Sequence, residues 1–501
     1  MKHKIILLLS ALFLIPSLSW AQGKIEPPKK KQPQTVNTTP KKKQTPVVKP
    51  KVNPYKSKTL DELIDEGMDA YDNDNYTEAY NLWKEAADRG SNIALNNLGV
   101  LYENGLGVSQ NYATAFKYYK QAADNGSIIG QCNLADCYMS GNGTSQSYSE
   151  AYRYYKMAAD QGSAKAQNAL GEMYQYGKGV TQSYQKAAEY YQLAADQDYP
   201  GGQVNLGYMY QLGLGVSQSY TEAFRYYALA ADQDYATGQF NLGVMYDDGL
   251  GVTQSDDLAF YYYKLAADQG NASAQNNIGV MYQYGQGVTE NLSEAVKYYK
   301  LSAENGNENA AVNLGYMYYE GLGTPVNYTE AVKYYRWAAE SGIARAQNNL
   351  GDCYYFGNGV VLNYPEAFRW YQKAADQGYA MAYYNMGFMY ENGNGVPQSY
   401  TLAAKYYKLG ADQGNTWSEA CLGYLYSNGL GVVQNYNEAF RLYSLAADKG
   451  NAMAQCNLGY LYENGYGVSK SRSKAIEWYR KAAQSGNDTA KSNLNRLGVS
   501  Y

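Results

Sequence analysis

Ser471 and Lys474 stand at the Ser-x-x-Lys spacing, in which a lysine can take a serine's proton and free its oxygen for attack on an acyl carbon. The Ser-Asp-Asn and Lys-Thr-Gly partners of that chemistry do not accompany them. Histidine occurs once in 501 residues, as His3. If the N-terminal segment is removed, the mature chain has none. That excludes a Ser-His-Asp triad, a Cys-His pair, the H-E-x-x-H motif and any imidazole metal ligand. The five cysteines, Cys132, Cys137, Cys353, Cys421 and Cys456, are odd in number. Repeated Gly-x-Gly runs resemble phosphate cradles, but no Gly-Lys-Ser/Thr follows them. No catalytic residue, metal set or cofactor is expected.

The elements that position these residues follow from a strict repeat. The run from Asn97 to Val108 recurs every 36 residues without insertion or deletion, eleven times. Positions equivalent to Tyr102, Gly105, Gly107, Ala115, Tyr119 and Ala123 are invariant across the copies. Ala94, Leu98, Leu101 and Tyr102 form one apolar helical stripe. Gly105 suits a left-handed helix end. The Asn111 position, always Asn or Ser, suits the N-cap of a second helix. Glu150, Glu222, Glu294, Glu330, Glu366 and Glu438, three positions further on, are read as completing capping boxes. Ala115, Tyr119, Ala122 and Ala123 form the second buried stripe.

A helix pair cannot bury its stripe alone, so the pairs must stack into a solenoid. Thr59 to Gly90 reads as a shorter first unit without the Gly-x-Gly-Val loop, and residues 488–501 as a capping helix. Cys137 and Cys353 fall where other copies have Leu or Met, and Cys132 and Cys137 point apart on one helix. Cys421 and Cys456 lie on neighbouring first helices, whose axes should be roughly 8–10 Å apart. A disulfide needs Cα atoms within about 7 Å. Free, mostly buried thiols are expected.

Before the repeats come two other materials. Lys2, His3 and Lys4, the apolar run Ile5–Ile15 and Ser19-Trp20-Ala21 read as a signal peptide over 1–21. Export to a periplasm or the outside of a cell is expected. Residues 22–58 hold seven prolines and eleven lysines against one acid, the composition of an extended arm. The whole chain carries −4; the arm contributes +10 and the leader +2, which leaves −16 on residues 59–501. The acidic body disfavours nucleic acid as a partner. The arm is either a spacer or an attachment to an anionic envelope surface.

The run Leu-Gly-x-x-Tyr-x-x-Gly-x-Gly-Val, followed by Ala-x-x-x-Tyr-x-x-Ala-Ala, resembles the Sel-one-like repeat family. Residues 92–487 carry eleven such units. The unit over 59–91 is similar to the related tetratricopeptide repeat. The resemblance implies an all-α, right-handed solenoid with first helices lining a concave groove, and a role as an adaptor between proteins. Some secreted relatives are described as having an intra-repeat cysteine pair and being penicillin-binding or β-lactamase-like. Here the partner position is Ala throughout, against that analogy.

The resemblance places the Val100 position in the groove. Across the copies it reads Val100, Asp136, Glu172, Tyr208, Val244, Val280, Tyr316, Asp352, Phe388, Tyr424 and Tyr460. Trp417, Met381, Tyr384 and Met453 fall nearby. The groove is therefore expected to be acidic in part of its N-terminal half and aromatic in its C-terminal half. The Asn97 position is Asn in nine of eleven copies, among them Asn313, Asn349 and Asn385. By resemblance to tetratricopeptide arrays, such a ladder holds peptide backbone; otherwise each Asn serves stacking. The reading is a non-enzymatic exported scaffold that binds protein or peptide segments. The alternatives are a cell-wall or β-lactam-directed hydrolase and a peptidoglycan- or glycan-binding module.

Overall fold

The computed structural model describes residues 53–500. The expected leader, and the expected arm up to residue 52, lie outside the described residues. The chain divides into a unit of residues 1–57 and a compact unit of residues 58–501. In the first, Asn53–Ser57 includes a turn in which the Tyr55 N–H donates to Asn53 Oδ1 at 2.9 Å.

Twenty-five α-helices fill the described part of the second unit, from α1 (Leu60–Asp72) to α25 (Asp488–Arg496), with no strand among the described residues. After α1 and α2 (Tyr76–Asp88), each 36-residue copy supplies one odd-numbered first helix and one even-numbered second helix, beginning with α3 (Asn92–Asn104) and α4 (Tyr112–Asp124). The first helices of the eleven copies end on a glycine in the left-handed region, such as Gly105 at φ 70° and Gly321 at φ 72°. The following second helices open on a Ser or Asn whose side chain accepts the N3 backbone N–H, as Asn111 does from Thr114.

The expected capping boxes do not close. Among the described residues only Thr59 and Glu62, at α1, form the reciprocal pair. In the copies the N-cap N–H is already used: Ser147 donates to the Tyr138 carbonyl at 2.9 Å and Asn327 to that of Tyr318 at 2.8 Å. The glutamates have no donor there and turn outward. Glu150 pairs with Arg153 at 2.8 Å, Glu222 with Arg225 at 2.9 Å and Glu294 with Lys297 at 3.1 Å. Exposed pairs of this kind stabilise a helix by a few tenths of a kcal/mol, about 0.3–0.5.

The core is a column of tyrosines. Tyr119, Tyr191, Tyr227, Tyr263, Tyr299, Tyr407 and Tyr479 are at most 1% exposed. Each ring lies where a side chain on the facing first helix would be: a Cβ at Gly99 would sit 2.6 Å from Cδ1 of Tyr119, and one at Gly279 2.6 Å from Cδ1 of Tyr299. Ten of the eleven copies have glycine at the Gly99 position; the other has Ala135, packed in the core with Tyr155. The Gly107 position forms the joint between copies. A Cβ there would strike the backbone at the start of the preceding second helix, as at Gly107 against Tyr76 and Gly251 against Tyr220.

Two further ladders tie the stack together. Tyr138 takes the edge of Phe116 from the previous copy at 5.4 Å and stacks on Tyr154 of its own at 5.9 Å. Gln161 donates to buried Gln131, Gln197 to Gln167 and Gln233 to Gln203, at 2.7–2.9 Å. In a later copy Lys449 and buried Glu419 take the same two places, at 2.7 Å. Successive first helices also approach one another, as α7 (Ala164–Tyr176) does α9 (Pro200–Leu212), and α19 (Ala380–Asn392) does α21 (Thr416–Asn428). This crowding puts the first helices on the inner side of the stack.

Candidate functional site

The structure joins part of the expected aromatic groove and extends it. Tyr384 and Phe388 on α19 have ring centroids 6.2 Å apart, and Tyr384 lies 6.3 Å from Trp417 on α21. Tyr384 also leans on core Tyr407, and burial pushes its phenol up to about 12. Phe388 continues at 6.2 Å to Tyr355, which meets Phe356 at 4.9 Å, both on α17 (Ala344–Phe356). The result is one aromatic band across three successive first helices. Its ends are its most open parts, Trp417 at 48% exposure and Phe356 at 61%. Tyr460, on α23 (Ala452–Asn464), belongs to a separate cluster, 6.0 Å from Tyr466, which stacks on Tyr436 at 4.6 Å. Tyr316, on α15 (Glu308–Glu320), and Tyr424, on α21, are exposed on the same side of the stack.

Tyr355 and Phe356 are absent from the groove positions expected from the sequence. Their signal is a departure from the repeat. Most copies place Glu, Gln or Asp at the Tyr355 position. Most also place Gln at the loop position of Gln110, which donates to the Glu103 carbonyl at 2.8 Å. In two copies these become Tyr319 with Val326, and Tyr355 with Leu362. The loop edge there is apolar and open, with Val361 at 87% exposure beside Leu362. Asn358 donates to the Tyr319 hydroxyl, and Asn394 to that of Tyr355, each at 2.7 Å.

The asparagine position carries hydrogen bonds between repeats. Asn313 donates to Asn276 Oδ1 at 3.0 Å and accepts from Arg345 at 2.7 Å. Asn385 donates to Asn348 Oδ1 at 2.9 Å, and the Asn349 amide lies beside the Tyr335 phenol. Asn133 with Asn96, and Asn205 with Asn168, repeat the first link.

The groove acids likewise face inward. Core phenols usually donate to the Glu103 position: Tyr119 to Glu103, Tyr191 to Gln175 and Tyr407 to Glu391, each at 2.6 Å. Where that position is Met139 or Tyr355, an acid three residues earlier accepts the phenol's proton instead. Tyr155 donates to Asp136, and Tyr371 to Asp352 at 2.7 Å. Asp136 also pairs with Lys165 at 2.8 Å, and Glu172 accepts from Asn168 at 2.9 Å.

Burial raises the Asp352 carboxyl to about 6, against the opposing hydrogen bond from Tyr371. An acid with a raised folded pKa favours the fold while protonated. Its contribution is therefore full below the unfolded value of about 4 and is lost as pH rises through about 6. Asp352→Asn keeps an acceptor for Tyr371 and removes the charge. The variant is expected to gain up to about 2 kcal/mol over the parent at pH 7.5 and nothing at pH 4. Denaturant unfolding at both pH values checks this; an equal gain at both would rule out the ionisation as its cause.

The five thiols are free, with Cys421 half-buried and the others buried. Burial pushes Cys137, Cys353 and Cys421 up to about 12, far from the thiolate a nucleophile needs. Ser471 caps α24 (Arg472–Gln484) by accepting the Lys474 N–H, and the Lys474 ammonium sits over the Tyr462 ring at 5.1 Å.

Uniform helix pairs, glycine joints and an inner face of variable side chains define an α-solenoid built from tandem helix-turn-helix repeats. The chain belongs to the Sel1 repeat family, whose profile matches twelve segments between residues 67 and 487, among them 92–127, 236–271 and 452–487. Such repeats are scaffolds typical of protein–protein interaction. Among solved structures, the chain is similar to a protective antigen present in uropathogenic Escherichia coli strains displaying an SLR fold. The two are 31% identical with a TM-score of 0.68, over 83% of this chain and 89% of that one. It is also similar to a Sel1 repeat protein from Oxalobacter formigenes, at 30% identity and a TM-score of 0.48, over 62% of this chain and 89% of that one. No curated protein matches.

Proposed function

We propose that the protein is an exported, non-enzymatic scaffold that holds a protein or peptide segment on the inner face of its first helices. The observation that carries this reading is the band from Phe356 through Tyr355, Phe388 and Tyr384 to Trp417. The repeat does not require it, since other copies stack without aromatics at these positions. Half-open aromatic side chains gathered in a groove are typical anchors for a polypeptide ligand. Export rests on the basic start, apolar run and small-residue cleavage signal of residues 1–21.

The test is capture of partners from envelope extract by the parent and by a variant with Phe388, Trp417 and Tyr424 all changed to Ala. The variant is expected to lose its captured proteins while keeping the parent's helical content and melting profile. Unchanged capture by a folded variant would remove the groove assignment. Release of reporter fusions outside the cytoplasm, dependent on residues 1–21, tests the export reading separately.

A further inference from the structure

The aromatic band continues into a loop edge of strong charge. From Asp232 to Glu330 the sequence has thirteen acids and three lysines. Those lysines are already paired, Lys264 with Asp268, Lys297 with Glu294 and Lys300 with Glu304. Asp248, Asp257, Glu290 and Glu320 are exposed, and no lysine or arginine among the described residues reaches salt-bridge distance of them. Asp247 has a raised carboxyl pKa, chiefly through burial and then through the charges of Asp248 and Asp256, so these groups crowd one another.

The glycine joints set the order along this edge. Gly287 packs on the start of α12 (Asp256–Asp268), Gly323 on that of α14 (Leu292–Glu304) and Gly359 on that of α16 (Tyr328–Glu340). The acidic loops of two copies are thus followed directly by the apolar loops holding Val326 and Leu362. Leu362 packs against Gly357, the residue after Phe356 at the open end of the band. Tyr328, at the start of α16, meets Tyr319 at 5.0 Å and carries the apolar surface between the two copies. A ligand lying along the edge passes from carboxylates to rings without leaving the surface.

We propose, building on the groove reading above, that the occupant is an extended cationic polypeptide segment with apolar anchors beside its basic stretch. Lysines or arginines of the segment meet the carboxylates from Asp248 to Glu320, and its apolar side chains meet Phe356, Phe388 and Trp417. Uncompensated carboxylates repel anionic glycans and nucleic acids and raise the local concentration of cations.

The experiment uses the full chain and four fluorescein-labelled peptides read by anisotropy. Three share a run of leucine and tryptophan, adjoined by lysine in one, serine in the second and glutamate in the third; the fourth is the lysine run alone. The lysine peptide is expected to bind about tenfold tighter than the serine peptide at low salt, with the glutamate peptide weakest. The advantage should shrink at high salt. It should disappear in a chain carrying Asp248→Asn, Asp257→Asn, Glu290→Gln and Glu320→Gln, all exposed positions. Equal binding of the lysine and serine peptides overturns the cationic partner and leaves the groove reading standing. A lysine advantage that survives the four substitutions also overturns it. A lysine peptide without its apolar run that binds as tightly as the whole removes the band from the site. No binding by any peptide removes both readings.

Discussion

Replacing Gly359 by valine is expected to divide the array into two independently unfolding blocks. Gly359 has φ 73°, a region that costs an ordinary residue about 1–2 kcal/mol and a β-branched one more. A Cβ at this position would also run into the Tyr328 carbonyl, which is backbone and cannot rotate aside. The joint must open for the side chain to fit. In a stack held by nearest-neighbour interfaces, one opened joint uncouples everything before it from everything after it. The combined penalty should be about 3 kcal/mol or more. Gly342 is the control: it has φ 98° with nothing within 4 Å of an added Cβ. Gly342→Val carries the backbone strain alone. Hydrogen exchange should show two transitions for Gly359→Val and one for Gly342→Val. The same single transition in both would mean that the glycine joint does not couple the copies.

Tyr299→Ala is expected to give the largest loss from any single side chain. The ring is fully buried, lies against Gly279, and donates its hydroxyl to Gln283 Oε1 at 2.6 Å. Removing a buried aromatic costs about 3–5 kcal/mol, through lost burial and the cavity left behind. Tyr299→Phe keeps the volume and withdraws only the donor from Gln283, a loss of about 1 kcal/mol. The glycine opposite supplies a sharper check. Gly279→Ala must push the ring aside in the parent but meets an empty space once Tyr299 is Ala. The double variant should therefore be more stable than the sum of the two single changes by about 1–3 kcal/mol, measured by urea unfolding. Strict additivity would show that the ring and the glycine do not meet.

The helix pairs are legible in the sequence because each boundary is set by local chemistry: a glycine such as Gly105 at one end and a side-chain acceptor such as Asn111 at the next start. The capping boxes mislead because the competing acceptor, the Tyr138 carbonyl, lies on the preceding helix nine residues before Ser147. Three of the band's five rings are visible, Tyr384, Phe388 and Trp417, since they occupy positions that vary between copies. The other two are hidden because Tyr355 and Phe356 stand at a helix end, outside the groove position itself. The work of Asp136 and Asp352 is hidden for a different reason. Their partners are 19 residues away on another helix, and only the stacked structure shows that each replaces an acceptor missing at Met139 or Tyr355.

That replacement offers one route by which such a surface can be acquired. A copy with a glutamate at the helix end can accept an aspartate three residues earlier while its core phenol keeps its first acceptor. The glutamate is then free to become a ring, and the phenol turns to the aspartate. The copy with Tyr319 shows another route: position 316 is tyrosine, not an acid, and the core Tyr335 phenol lies beside the Asn349 amide. The copy containing Asp352 and Tyr355 is the finished form of the first route, with the new ring already joined to Phe388. A stack with these alternatives can change the rings of its inner face one copy at a time while the core phenol keeps a polar neighbour.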